Sequence, residues 1–163
     1  MYKGLPGVVD MISKRVSAII IVFLLIACIV PANAASSENN LVRVTKIVVE
    51  PDGSDLKYTL NYDTSIFTKV FSLIFGARVI QPSIEGVFVD DSDLTLVSID
   101  PNNCIAKFTA KNQSRLTMGG WYVYDGGAKF STEIEEIEIR DMSMEKPIIV
   151  RNGAELPMFY YRA

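Results

Sequence analysis

Four glutamates fall close together in the stretch KFSTEIEEIEIRD: Glu133, Glu135, Glu136 and Glu138. Two carboxylates can act as the acid and base of glycoside hydrolysis, but they must flank a cleft. Glu136 and Glu138 alternate with Ile137 and Ile139, the period of a half-exposed strand, so the pattern reads as a solvated sheet face. Asp90, Asp91 and Asp93 crowd a single turn, and hard carboxylate oxygens suit calcium. The EF-hand's glycine and distal glutamate are missing, so these acids read as turn residues and no metal site is assigned. Ser54 and Lys57 have the spacing of a Ser-Lys nucleophile pair, a chemistry that sets the serine on a helix. Here the pair enters a strand. No catalytic residue and no cofactor are assigned.

Histidine is absent from the chain. That removes Ser-His-Asp and Cys-His catalysis, an imidazole base and the common zinc sites. Cys104, in NNCIAKF, reads as a small buried apolar residue rather than a reactive thiol. The sequon Asn112-Gln113-Ser114 lies between two expected strands and makes Asn112 a glycosylation acceptor where exported asparagines are glycosylated.

The chain begins with an address. Lys14 and Arg15 precede a charge-free apolar run over residues 16–30, and Ala32 and Ala34 form a small-residue exit. A basic start, an apolar core and such an exit make residues 1–34 a signal peptide cut after Ala34, with Met11 a more ordinary start than Met1. Two alternatives place the domain on the same side of a membrane. Leu25 to Cys28 has the form of a lipobox that would acylate Cys28. Left uncut, the segment is long enough to remain as an N-terminal anchor. All three readings make the protein extracytoplasmic, either secreted or held at the cell surface.

Beyond residue 34 the chain keeps 13 basic and 18 acidic residues, a net charge of −5. With no basic cluster to neutralise phosphates, nucleic acid is not an expected partner. Residues 35–40 read as a flexible tether, and 41–163 as one β-rich domain large enough for its own core. With Cys104 as its single cysteine, that domain has no internal disulfide, so packing must stabilise it.

The elements that position these residues are mostly strands. Residues 42–50 and 54–62 flank a Pro-Asp-Gly turn and predict a hairpin, with Leu56, Tyr58, Leu60 and Tyr62 on one face. Residues 63–76 follow as the one helix, capped by Asp63 or Thr64 and closed by Gly76. Phe67, Phe71 and Phe75 make its apolar stripe. Such a stripe is expected to lie across the domain's own sheet, with docking onto a partner or a lipid surface as the alternative. Strands are expected at 84–90, 94–100, 104–110, 116–125 and 128–141, and on either side of an Asn152-Gly153 hairpin. The apolar phase slips between Ile134 and Ile137, which suggests a bulge or bend. The fold class is therefore mainly β, an antiparallel sandwich or partly open barrel with one amphipathic helix after the first hairpin. The alternative is α+β, with the helix packed on one antiparallel sheet.

Aromatic residues supply the remaining candidates. If Trp121 and Val123 fill the core, then Tyr122 and Tyr124 line an outer face, joined by Tyr160, that can stack on a sugar or a protein. The expected function is a non-enzymatic binding or structural role at the cell envelope, with an envelope protein or glycan as partner. The first alternative is a small carboxylate-dependent enzyme acting on a glycan or envelope polymer, which a pocket joining two or more acids would favour. The second is a subunit of an envelope assembly docked through the Phe67/Phe71/Phe75 helix.

Overall fold

The computed structural model describes residues 41–89, 93–142 and 145–162. The leader with Cys28, Ala32 and Ala34, the tether 35–40, and Asp90 and Asp91 lie outside the described residues.

β1 (Val42–Asp52) and β2 (Asp55–Thr64) form the hairpin their alternation predicts, turning at Gly53 with φ 63°. β2 turns Leu56, Tyr58, Leu60 and Tyr62 inward, all buried. Full burial of one such side chain contributes roughly 1.5–3 kcal/mol. The chain continues through α1 (Ile66–Phe75), a 3-10 turn (Ala77–Val79), α2 (Gln81–Glu85), β3 (Phe88–Val89), β4 (Leu94–Asp100) and β5 (Ile105–Ala110). β6 (Arg115–Leu116), β7 (Trp121–Tyr124), β8 (Lys129–Ile139), β9 (Ile148–Glu155) and β10 (Phe159–Arg162) complete it.

The large sheet runs β3-β8-β1-β2-β5-β4, with β9 also on β8, and curls into an open half-barrel. The protein is thus mainly β with few helices. Its pairings are antiparallel except for β1 with β8, which run parallel from Lys46/Glu136 to Val49/Ile139. Inside, the Phe88 ring meets Tyr58, Phe108 and Phe130 at centroid distances of 5.3, 5.2 and 5.7 Å. Ile80 and Ile84, one helical turn apart, are fully buried with this core. A small sheet, β10-β7-β6, lies by the β1–β2 turn. Tyr161 Oη donates to the Gly53 carbonyl at 2.7 Å, and the Tyr122 and Tyr161 rings stack at 5.4 Å.

Several elements depart from the sequence expectation for physical reasons. α1 is capped by Ser65, not Asp63 or Thr64, because β2 pairs with β1 as far as Thr64 and the Thr64 hydroxyl donates to the Leu41 carbonyl at 2.8 Å. The described residues 84–89 are not one strand: Pro82 in the first turn starts α2, which ends at Glu85, and among them Phe88–Val89 are extended. Residues 116–125 are broken by a turn through Gly119 and Gly120, where the Thr117 amide donates to the Trp121 carbonyl at 2.8 Å. Asn152-Gly153 makes no hairpin: β9 continues past it along β8, with Asn152 at φ 51°, and β10 joins the other sheet. Gly153 instead permits a close approach: a Cβ there would lie 3.0 Å from Ile137 Cδ1. The β8–β9 register shift falls between Lys129 and Ile134, while Ile134 and Ile137 are both buried despite their odd spacing.

Core and edge should respond differently to truncation. Phe108→Ala is expected to lower unfolding free energy by about 3–5 kcal/mol, and Val97→Ala, on an exposed bulge of β4, by less than about 0.5 kcal/mol. Urea titration followed by circular dichroism checks both.

Candidate functional site

α1 is the most unusual surface of the domain. Around its axis Thr68, Lys69 and Ser72 form the polar arc, and Ile66, Phe67, Val70, Phe71, Leu73, Ile74 and Phe75 form the apolar arc. In a helix lying on its own sheet the apolar arc would be buried. Here the arrangement is inverted. Ser72 is 2 % exposed, while the seven apolar side chains are between 49 and 82 % exposed. Lys69 Nζ donates to the Asn102 carbonyl at 2.9 Å, and Ser72 Oγ donates to the Lys69 carbonyl at 2.9 Å. The Lys69 anchor is itself fixed: Asp100 Oδ1 accepts the Asn102 and Asn103 amides at 2.9 and 3.2 Å. The Asn103 side-chain amide and these backbone amides hold the Asp100 carboxyl below its ordinary range, with Lys69 adding to the effect. The expectation that this helix lies across the sheet is therefore corrected. The sheet's inner side is filled by Tyr58, Phe88, Phe108, Phe130, Ile80 and Ile84, and Lys69 ties the polar arc to the β4–β5 turn while Ser72 and Thr68 bond within the helix and its cap.

The stripe Phe67, Phe71 and Phe75 thus stands in solvent, with Phe71 and Phe75 in contact at 4.5 Å between ring centroids. An isolated ten-residue helix is marginal in water, and a folded domain rarely leaves an apolar face this wide uncovered.

On the small sheet Val123 is buried and Tyr160 exposed as expected, but Trp121 and the two tyrosines of β7 depart from the expectation. Tyr124 is 2 % exposed, its hydroxyl accepting the Ala128 amide at 2.9 Å, and Tyr122 is half-buried against Tyr161. Neither lines an outer face. The outward residues are Trp121 at 46 % and Tyr160 at 53 % exposure, with Arg162 directly opposite Trp121. The cause is the Tyr161 contact to Gly53, which commits Tyr122, Tyr124, Phe159 and Tyr161 to the inner side.

The glutamates of β8 do not converge on a cleft. Arg43 pairs with Glu135, Lys46 with Glu136 and Glu138 at 2.6 and 2.7 Å, and Arg140 with Glu138 at 2.8 Å. Another set of acids does meet, in an open groove of about 860 Å³ beside the β1–β2 turn. Glu50, Asp52 and Asp141 line it together with Lys57, Arg140 and Arg162. Lys57 Nζ lies 2.6 Å from Asp52 Oδ2, and that bond raises the lysine's pKa, the wrong direction for a base that would activate Ser54.

Of the other candidates, Asn112 is exposed on the turn after β5, its amide donating to Asp55 Oδ1 at 3.0 Å. Cys104 is half-buried, and Asp93 is exposed where β4 begins. Among the described residues no group of three or more acids or cysteines could hold a metal ion. Sequence reasoning missed Trp121 as an outward residue and missed the Glu50/Asp52/Asp141 groove, whose acids lie on two strand ends far apart in the chain. Comparison with protein-family models, curated proteins and solved structures finds no match to this chain.

Glu138 gives a pH signature. The Lys46 ammonium and then the Arg140 guanidinium hold its carboxyl below its ordinary value of 4.5. A depressed carboxylate stabilises the fold fully above that ordinary value and loses its contribution as pH falls through the lowered one. Glu138→Gln should therefore be less stable than wild type at neutral pH, and the gap should narrow as the pH drops below about 4.5. Denaturant midpoints measured across that range check it.

Proposed function

We propose that the domain is a non-enzymatic contact module that works outside the cytoplasm at the cell envelope, docking through the outward face of α1. One observation carries the reading: the helix holds its polar arc against the domain and presents seven large apolar side chains to the outside. Covering such a face gains roughly 1.5–3 kcal/mol for each side chain fully buried, and the domain itself leaves that gain unused. The basic, apolar and small-residue pattern of residues 1–34 supports the location. The smaller Trp121/Tyr160 face offers flat rings beside Arg162, suited to a glycan ring or a second protein.

A second reading is kept because of the groove. Three acids meeting in one hollow support a small carboxylate-dependent enzyme acting on a glycan or envelope polymer. The interleaved Lys57, Arg140 and Arg162 count against it, since a general acid needs its proton held rather than displaced by a neighbouring cation. Were this the function, Glu50→Gln with Asp141→Asn would abolish polymer cleavage.

Replacing Phe67 and Phe71 together with Ser tests the contact role. The double variant should keep its urea midpoint, within about 0.5 kcal/mol, yet lose the association shown by wild type in sedimentation with envelope fractions. Equal sedimentation of both proteins would remove the reading.

A further inference from the structure

We infer that the surface α1 docks onto is lipid, the headgroup–acyl boundary of the bilayer that the chain's own leader enters, an inference that rests on the contact role of α1 and narrows it. The outward face is pure hydrocarbon: Ile66, Phe67, Val70, Phe71, Leu73, Ile74 and Phe75 carry no donor and no acceptor. Protein interfaces supply about one hydrogen bond per 100–200 Å² and concentrate their energy in Trp, Tyr and Arg. Acyl chains offer neither donors nor acceptors, and a face without polar atoms loses nothing against them.

Length agrees with this. Ten residues make a helix of about 15 Å, half the thickness of a hydrocarbon core, so α1 suits lying in the boundary plane. No helix among the described residues is long and apolar enough to cross a membrane. The exposed amide at the start of α1 is satisfied within the chain, Ser65 Oγ accepting the Thr68 N–H at 3.1 Å. At the other end Phe75, Leu96 and Ile99 line a shallow hollow with Arg78 beside it, which sets a cation next to the apolar face, where phosphate headgroups lie.

Covalent reach supplies the source of the bilayer. The domain begins at Leu41, whose carbonyl is bonded to Thr64, the residue before the Ser65 cap. Ten residues join Val30 to Leu41, a span of at most about 40 Å. Where the leader is retained in a membrane, that span is the farthest the start of the domain can stand from it, and a lipid on Cys28 adds two residues to the tether. Where the chain is cut after Ala34, the apolar face alone must supply the lipid contact.

Trp121 is the only tryptophan, and it belongs to the sheet bonded to the Gly53 turn, at the other end of β2 from α1. Phe71→Trp and, separately, Ile74→Trp add an indole to exposed positions of the apolar face. The full-length chain and both variants are reconstituted in phosphatidylcholine–phosphatidylglycerol vesicles whose acyl chains are brominated near the glycerol. Lipid contact predicts blue-shifted emission from each added indole, quenched about twofold by the brominated lipid, while the wild-type signal from Trp121 is unchanged. Unquenched but blue-shifted emission from both variants means that a second copy or another protein covers α1; that overturns the lipid inference and leaves the contact role standing. Unquenched, red-shifted emission means that α1 meets water, and it overturns both.

Discussion

The concave side of the half-barrel is full before α1 can use it. β2 contributes Leu56, Tyr58, Leu60 and Tyr62, β5 contributes Phe108 between two alanines, and Phe88 and Phe130 close the ring cluster from the β3–β8 side. The buried isoleucines of α2 and the residue before it join the same core. Interiors packed this closely admit no further ring without strain. Ten residues of apolar helix that follow directly on β2 must then lie outside, and the only choice left is which arc faces in. Lys69 and Ser72 make that choice, because the Asn102 carbonyl is held in place by the Asp100 turn and offers an acceptor to the ammonium.

That inversion marks the limit of what could be read from the chain. Strand alternation in residues 54–62 identified the inward face of β2 correctly, because period-2 burial depends only on local geometry and one filled side. The presence of α1 and its Gly76 terminus were legible for the same reason. Its orientation was not: the apolar arc says which side avoids water, and nothing local says that the domain's own core is already occupied. The phase of β7 failed in a related way. Trp121 is the bulkier candidate for a core, yet the hydroxyl of Tyr161 on the neighbouring strand β10 fixes the inner side for Tyr122 and Tyr124. Asn152-Gly153 carries a strong hairpin signal, but glycine also serves where one backbone passes close to a side chain, here Ile137.

The charged residues divide between two tasks. Within β8 four of the six positions 133–138 are glutamates. Arg43 and Lys46 answer Glu135, Glu136 and Glu138 from β1, and Arg140 pairs with Glu138 from just beyond the end of β8 itself. Glu138 is buried and doubly paired, so it fixes the register of β1 on β8, where parallel pairing has no hairpin turn to fix it. At the opposite end of β1 the acids and cations of the groove are mixed, exposed except for the half-buried Asp141, and stand close to opposite charges.

The parallel pairing of β1 and β8 has a consequence for how the molecule is made. Arg43 and its partner Glu135 stand 92 positions apart, so the first strand waits with one edge unpaired until nearly the whole polypeptide has emerged. Non-local pairing of this kind slows the final collapse.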